Sequence, residues 1–234
     1  MKRLAYQTSF LGVLLFLASA MTHAQSSEYE EGKHFVKLPM QFDTAKDDSS
    51  VDSIEVIEFF SYGCDHCYKI EPFINDWLKT KSSDVEFRRE HVSWNNRTWT
   101  TLARAFYVAQ DLKLSSKIHD AMFEAIHKHR INLGQERKLM QLFDNVADVD
   151  PETFKDKYWS EEIQARMRDV HTKDRVWRIA SHGTPSMVVG GKYLVSKETA
   201  DGENSAVMPI VDFLIEKIRS EQRDSSAVVE DSQS

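Results

Sequence analysis

The stretch FFSYGCDHCYKIEP, residues 59–72, decides how this chain folds, and it holds both of the chain's cysteines, Cys64 and Cys67. The residues that precede it (VDSIEVIEFFSYG, 51–63) are largely β-branched or aromatic, and they predict a buried strand. The residues that follow have apolar side chains at helical spacing, namely Ile70, Phe73, Ile74, Trp77 and Leu78. Cys64 is therefore expected where the strand ends and a helix begins.

Two cysteines at this spacing can form a redox couple or half of a metal site, or they can be buried thiols. A disulfide that closes so short a loop removes little entropy from the unfolded chain, so it is a poor structural staple. A structural zinc site needs four ligands, and neither a second CxxC nor a histidine pair at ligand spacing is present. We therefore expect redox chemistry, no metal, and no cofactor other than a Cys64–Cys67 disulfide.

The helix start should make the two thiols unequal. Unpaired backbone N–H groups and the helix dipole stabilise a thiolate at Cys64, so this cysteine is expected to be exposed and to have a low pKa. Cys67, one turn further in, is expected to be buried with a higher pKa. Cys64 would then form a mixed disulfide and Cys67 would resolve it. His66 lies between them and can favour the Cys64 thiolate through its ring.

Both ends of the chain are distinctive. Lys2 and Arg3 precede an apolar run, residues 10–20, and then small residues, which is the order of a secretory signal peptide; we assign residues 1–24 to it. Exported proteins live where disulfides persist. The net charge of −7 argues against a nucleic-acid binder. The polar, Ser-rich residues 221–234 predict a disordered tail.

The rest of the chain predicts an α/β fold with a mixed sheet flanked by helices. DVEFRREHVSW (84–94) predicts a strand parallel to the first, because a helix connects the two. Residues 96–180 have apolar side chains at helical spacing and predict an inserted all-helical domain. HGTPSMVVGGKYLVS (182–196) predicts a hairpin with a two-residue Gly-Gly turn, and HFVKLP (34–39) an edge strand. Residues 25–95 and 181–220 would form one discontinuous domain.

The chain resembles the thioredoxin superfamily in three features. These are a CxxC at a helix start, Pro72 within that helix, and a distant Gly-Thr-Pro sequence that contains Pro185. The signal peptide, EHVSW, the helical insertion and HGTPSMVVGGKYLV are similar to one branch, the DsbA family of periplasmic thiol-disulfide oxidoreductases. The resemblance covers residues 28–218. The sequence differs from the family at one position, because the dipeptide between the cysteines is Asp-His (CDHC) rather than Pro-His (CPHC).

The resemblance implies roles for individual residues. Cys64 would be the nucleophile, Cys67 the resolving cysteine and His66 a stabiliser of the thiolate. Pro185 would follow a cis peptide bond, and Thr184 would offer its backbone to an extended substrate strand.

The resemblance also implies a role for Glu58, an acid in an otherwise apolar strand. Glu58 would be a buried acid beneath the disulfide, opposite a base, either Arg89 or Arg88. The alternative is that Glu58 only satisfies a local hydrogen bond.

Asp65 places a carboxylate beside the developing thiolate. The repulsion is on the order of 1–3 kcal/mol before screening by water and salt. We hypothesise that Asp65 raises the pKa of Cys64 and makes the disulfide less oxidising than proline would at this position.

The function implied by the resemblance is disulfide formation in reduced, unfolded exported proteins in the periplasm. A membrane oxidase resembling DsbB would reoxidise the enzyme, which is expected to be a monomer. Two alternatives stay open at this point. One is a reductase or isomerase on the same scaffold, and the other is a non-catalytic binding or chaperone module.

Overall fold

The computed structural model describes residues 28–39, 53–94, 96–172 and 182–231. The signal peptide predicted over residues 1–24 lies outside these ranges, as do residues 173–180 at the end of the predicted helical insertion. Within the described ranges, no helix combines the length and the apolar character that a membrane span requires.

A mixed five-stranded sheet organises the described residues, with the strand order β1-β5-β4-β2-β3. Its strands are β1 (Val36–Lys37), β2 (Ile54–Phe60), β3 (Val85–His91), β4 (Ser186–Val189) and β5 (Tyr193–Ser196). The central strand β2 runs parallel to β3 and antiparallel to β4. The predicted mixed sheet, the parallel pair and the edge strand within residues 34–39 are thus confirmed.

Helices α1 (Asp65–Thr80) and α7 (Asn204–Asp231) pack together against the sheet. Their buried side chains share one core with alternate residues of the strands. A second group of helices follows β3, as the apolar spacing predicted. It consists of α2 (Arg97–Asp111), α3 (Ser115–Phe123), a π-helical turn (Glu124–Lys128), α4 (Glu136–Ala147), α5 (Pro151–Tyr158) and α6 (Glu161–Thr172).

The helical block has its own core, and that core reaches the CxxC. Phe60, Tyr62 and both cysteines belong to the same buried cluster as the inward side chains of α2 to α6. Phe60 makes edge-to-face contact with Phe106 of α2, at a centroid distance of 5.4 Å. The block therefore packs directly on the junction between β2 and α1, and its residues can shape the chemistry there.

The disordered tail predicted from residue 221 is wrong for residues 221–231, because α7 continues to Asp231. This segment contains neither glycine nor proline to end the helix. Glu221 also ties the helix to the sheet, since its carboxylate accepts hydrogen bonds from the Tyr193 hydroxyl at 2.5 Å and from Lys192 at 3.1 Å.

The hairpin between β4 and β5 is present, but its connection has three residues instead of two, since Val189 pairs with Tyr193. Gly190 and Gly191 both have positive φ, at 55° and 66°. A Cβ at Gly190 would lie only 2.5 Å from Cδ1 of Ile218 in α7. Glycine is needed there for its backbone conformation and for the close approach of the helix.

Candidate active site

The turn before α1 presents Cys64 at the N-cap of the helix, with extended backbone angles. The Cys64 amide donates to the Ser61 carbonyl at 3.0 Å, which closes the turn. Gly63 has no room for a side chain, because a Cβ there would lie 2.5 Å from Nε1 of Trp99. A glycine before the cysteine thus lets α2 pack against the turn.

The two cysteines are free thiols in this structure, and both are buried. Cys67 has no exposed surface and Cys64 is only 9% exposed, so the expectation of an exposed Cys64 is wrong. Two neighbours account for this burial. The Thr184 carbonyl lies 3.4 Å from Cys64 Sγ, and side chains of the helical block surround the turn. A substrate would therefore reach Cys64 through a small opening.

The pKa values of the two thiols move in opposite directions. The pKa of Cys64 is lowered to about 5, mainly by a hydrogen bond from the Cys67 thiol. Hydrogen bonds from the Thr184 side chain and from the backbone N–H groups of His66 and Cys67 lower it further, while burial opposes the shift. The pKa of Cys67 is raised well above its ordinary value, mainly by burial. Cys64 is the stronger candidate for a thiolate at neutral pH.

The Thr184–Pro185 peptide bond is cis, and it lies next to Cys64. Pro185 is buried, whereas Thr184 is half-buried. Ser186, the first residue of β4, donates its hydroxyl to the Gly183 carbonyl at 2.8 Å and so holds the loop closed. Thr184 and Pro185, for which the resemblance implied roles, thus lie next to Cys64, although Thr184 follows it by 120 positions in the sequence.

The two residues between the cysteines are exposed and paired with cations. Asp65 contacts Lys69 at 2.5 Å and faces His127 at 3.9 Å. These neighbours, the Lys69 hydrogen bond first, lower the pKa of the Asp65 carboxyl. The ring of His66 lies 3.4 Å from Nζ of Lys197, and it is the backbone N–H of His66 that stabilises the Cys64 thiolate. Our hypothesis of repulsion by Asp65 did not include these counter-charges.

Beneath the cysteines lies a buried charge network that begins at Glu58, whose side chain is inaccessible to solvent. The parallel register places Glu58 opposite Arg89, and Arg89 Nε donates to Glu58 at 2.8 Å. Of the two bases considered from sequence, Arg89 is the partner, because Arg88 instead pairs with Glu55 and Glu90.

The network continues through Glu71, Tyr62 and the buried ring of His119. Arg89 also donates to Glu71 at 3.0 Å, and His119 Nε2 lies 3.1 Å from the other oxygen of that carboxyl. His119 Nδ1 lies 3.1 Å from the Tyr62 hydroxyl. Burial raises the pKa of Glu58 and of Glu71, and it lowers the pKa of His119 to about 3. A cavity of about 430 Å³ adjoins this end of the network and is lined in part by Arg89, His119 and Asp120.

The residues of this site that sequence reasoning missed include Glu71, His119 and His127. Glu71 lies four positions after Cys67, on the same face of α1, and that spacing was a usable signal. His119 shares a helix face with Ile118 and Met122, and such a position is typical of an ordinary core histidine. His127 offered no signal, because its position depends on a π-helical turn.

The structure also bears on a metal site. Among residues 28–39, 53–94, 96–172 and 182–231, no group of three or more His, Cys, Asp or Glu side chains is arranged to hold a metal ion. Glu58 and Glu71 instead pair with Arg89, and His119 contacts Glu71.

Comparison with known proteins identifies the family. The family model described as DSBA-like thioredoxin domain matches residues 55–206. The chain belongs to the DSBA-like thioredoxin domain family. The thiol:disulfide interchange protein DsbA of Azotobacter vinelandii is 30% identical over 95% of this chain and 100% of its own. That of Pseudomonas aeruginosa is 32% identical over 84% of this chain and 89% of its own.

Solved structures of the family agree with the fold. The crystal structure of Pseudomonas aeruginosa DsbA matches with a TM-score of 0.72 and 30% identity, covering 85% of this chain and 98% of its own. DsbA from Xylella fastidiosa matches with a TM-score of 0.70 and 26% identity, covering 80% of this chain and 96% of its own. The DsbA-like thioredoxin fold predicted from the sequence is confirmed, and the chain is a thiol-disulfide oxidoreductase.

Proposed function

We propose that this protein introduces disulfide bonds into exported proteins, with Cys64 as the sulfur that exchanges with substrate. The observation that carries the proposal is the unequal pair of thiols, in which the pKa of Cys64 is lowered to about 5 and the pKa of Cys67 is raised. The relatives named thiol:disulfide interchange protein support it.

The cycle starts from the Cys64–Cys67 disulfide. A substrate thiolate attacks Sγ of Cys64, the bond between the two cysteines breaks, and Cys67 leaves as a thiolate that then takes up a proton. A second substrate thiolate attacks the substrate sulfur of the mixed disulfide, and Cys64 leaves as a thiolate. The substrate has lost two electrons and gained a disulfide, and the enzyme holds the two electrons as its dithiol.

The direction of exchange follows from the reduced form. A thiolate of low pKa is a good leaving group, and the contacts that stabilise the Cys64 thiolate favour the dithiol over the disulfide. An enzyme whose dithiol is stabilised in this way passes its disulfide to substrates. This favours an oxidase over a reductase or isomerase, and the low pKa gives a chaperone module no advantage.

Neighbouring residues have proposed supporting roles. The backbone at Thr184, next to Pro185, would pair with an extended substrate segment, which places a substrate thiol against Cys64. Glu58 and Arg89 would set the charge beneath Cys67, because ionised Glu58 raises the pKa of the Cys67 thiol. The ring of His66 would add to the effect of its backbone N–H on Cys64.

The setting of the reaction is also part of the proposal. Residues 1–24 would direct the chain to the periplasm, where it would act as a monomer on reduced, unfolded proteins, and a DsbB-like membrane oxidase would restore its disulfide. Residues 25–95 and 181–220 would form the thioredoxin-like domain and residues 96–180 the inserted helical domain. A redox-active disulfide would be the only cofactor.

Trapping tests the proposal. Cys67→Ala should accumulate mixed disulfides with exported proteins in cells, visible on non-reducing gels and removed by reductant, whereas Cys64→Ala should accumulate none. In the parent protein the two cysteines should be mostly oxidised at steady state. A mostly reduced pair in cells would instead support a reductase, and the absence of adducts in Cys67→Ala would contradict exchange at Cys64.

A further inference from the structure

The π-helical turn Glu124–Lys128 carries a histidine to the edge of the CxxC. Its wider hydrogen bonding, with the His129 amide donating to the Glu124 carbonyl at 2.9 Å, interrupts the regular spacing of the helix. The side chain of His127 is only 7% exposed, and its ring stacks on Tyr68 of α1 with centroids 5.0 Å apart and planes 8° apart. The helical block thus contacts α1 one residue after Cys67.

The hydrogen bonds of His127 determine which ring nitrogen holds the proton. Nε2 lies 2.8 Å from the Tyr62 carbonyl oxygen, and a carbonyl can only accept, so Nε2 carries hydrogen. Nδ1 faces Asp65 Oδ1 at 3.9 Å. In the neutral ring Nδ1 directs a lone pair at the carboxylate, whereas in the protonated ring it directs an N–H and a positive charge.

The charges around this pair come from three elements. On α1, the other carboxylate oxygen of Asp65 contacts Lys69, and His66 is the next residue. Beyond β5, Lys197 reaches the ring of His66. On the π-helical turn, Glu124 and Lys128 pair with each other at 3.4 Å and are exposed, and His129 follows. Of these groups, Lys69, His127 and His66 all lower the pKa of the Asp65 carboxyl.

We propose that His127 is a positioning residue for thiol-disulfide exchange, which holds the turn before Cys64 through the Tyr62 carbonyl and, with Lys69, counters the charge of Asp65. This rests on the proposed function. The carboxylate of the CDHC motif is thereby paired on its outer side, and its repulsion of the Cys64 thiolate is reduced. His127 comes from the inserted helices, so the insertion helps to set how strongly the dithiol is stabilised.

A double-mutant cycle tests the coupling. The measured quantity is the equilibrium constant of the Cys64–Cys67 disulfide with glutathione at pH 7, for His127→Gln with and without Asp65→Asn. Glutamine can still donate to the Tyr62 carbonyl but has no second ring nitrogen to face Asp65. We expect His127→Gln alone to shift this equilibrium constant about threefold to tenfold toward a less oxidising disulfide. In the Asp65→Asn background the same substitution should change the constant by less than about twofold. Lys128→Gln, at an exposed cation on the same turn, is the control and should change the constant by less than about twofold.

The coupling in this equilibrium constant is a readout that a merely structural role would not move, because a purely structural effect of His127→Gln should be the same with and without the Asp65 carboxylate. His127→Phe keeps a ring against Tyr68 but loses the donor, and thermal unfolding of each variant reports whether the fold persists. Equal effects of His127→Gln in the two backgrounds, or none, would overturn the proposal. Failure of the parent to oxidise a reduced peptide would instead overturn the proposed function.

Discussion

The two cysteines belong to regions of opposite character. We call the outer region the rim, which consists of Cys64, Asp65, His66, Lys69 and His127. The inner region is the base, which consists of Cys67, Glu58, Glu71, Arg89 and His119. The Asp65 side chain in the rim is 56% exposed, whereas the Glu58 side chain in the base has no exposed surface.

The difference shows how one short loop produces two unlike thiols. In the rim, Cys64 receives hydrogen bonds from Cys67 and from backbone N–H groups, and these outweigh its burial, so its pKa falls. In the base, Cys67 is fully buried near Glu58, and both burial and the negative charge raise its pKa. Sequence position alone separates the thiols by one helical turn. The packing of β2, β3 and α3 around that turn determines how buried each thiol is and which charged groups lie near it.

Removing the arginine of the base should have the largest effect. Arg89→Met leaves Glu58 and Glu71 buried without their shared partner, so we expect the free energy of unfolding at pH 7 to fall by about 3–5 kcal/mol. Urea unfolding followed by circular dichroism measures it. Arg223→Met, at an exposed arginine of α7, is the matched control and should change stability by less than about 0.5 kcal/mol. A loss below about 1 kcal/mol for Arg89→Met would show that the base does not depend on this ion pair.

A smaller effect is expected in the pH dependence of stability. Because burial raises the pKa of Glu71 from 4.5 to about 7, its contribution to stability is fully present below pH 4.5 and is lost as pH rises through 7. Glu71→Gln cannot ionise, so it should gain stability relative to the parent, on the order of 1–3 kcal/mol, between pH 5 and pH 8.

The buried histidines act with the opposite sign, so Glu71→Gln must be compared with its parent at each pH. The lowered pKa values of His91 and His119 contribute stability above pH 6.5 that is lost as pH falls. Urea unfolding at several pH values gives the difference. Glu86→Gln, at an exposed acid of β3, is the control, and its difference in unfolding free energy from the parent should not change with pH. If the difference for Glu71→Gln did not change with pH either, Glu71 would be ionised in the base at all these pH values.

Much of the fold was predictable because its signals are local. The apolar run before Cys64, the helical spacing after it, and the residues flanking Gly190 and Gly191 each specify an element by themselves. The acid at position 58 stood out because a carboxylate in a buried strand needs a partner. The parallel pairing then put Arg89 opposite it, whereas the sequence left Arg88 as an alternative.

The remaining features depend on contacts between distant segments. The low exposure of Cys64 comes from the loop at Thr184, 120 positions away. The burial of Glu71 comes with the packing of His119 against it, and the approach of His127 to Asp65 needs a π-helical turn that no simple periodicity predicts. The length of α7 also escaped prediction, because polar composition outweighed the absence of helix breakers after residue 221.

The central claim is that rim and base give the two thiols opposite pKa shifts, and alkylation rates test it most directly. The reduced protein is treated with iodoacetamide from pH 4 to pH 9, and mass spectrometry reports modification at each cysteine. Cys64 should react with a midpoint near pH 5, and Cys67 should stay unmodified throughout while Cys64 is free. A Cys64 midpoint near the ordinary thiol value, or equal reactivity of the two cysteines, would contradict the account.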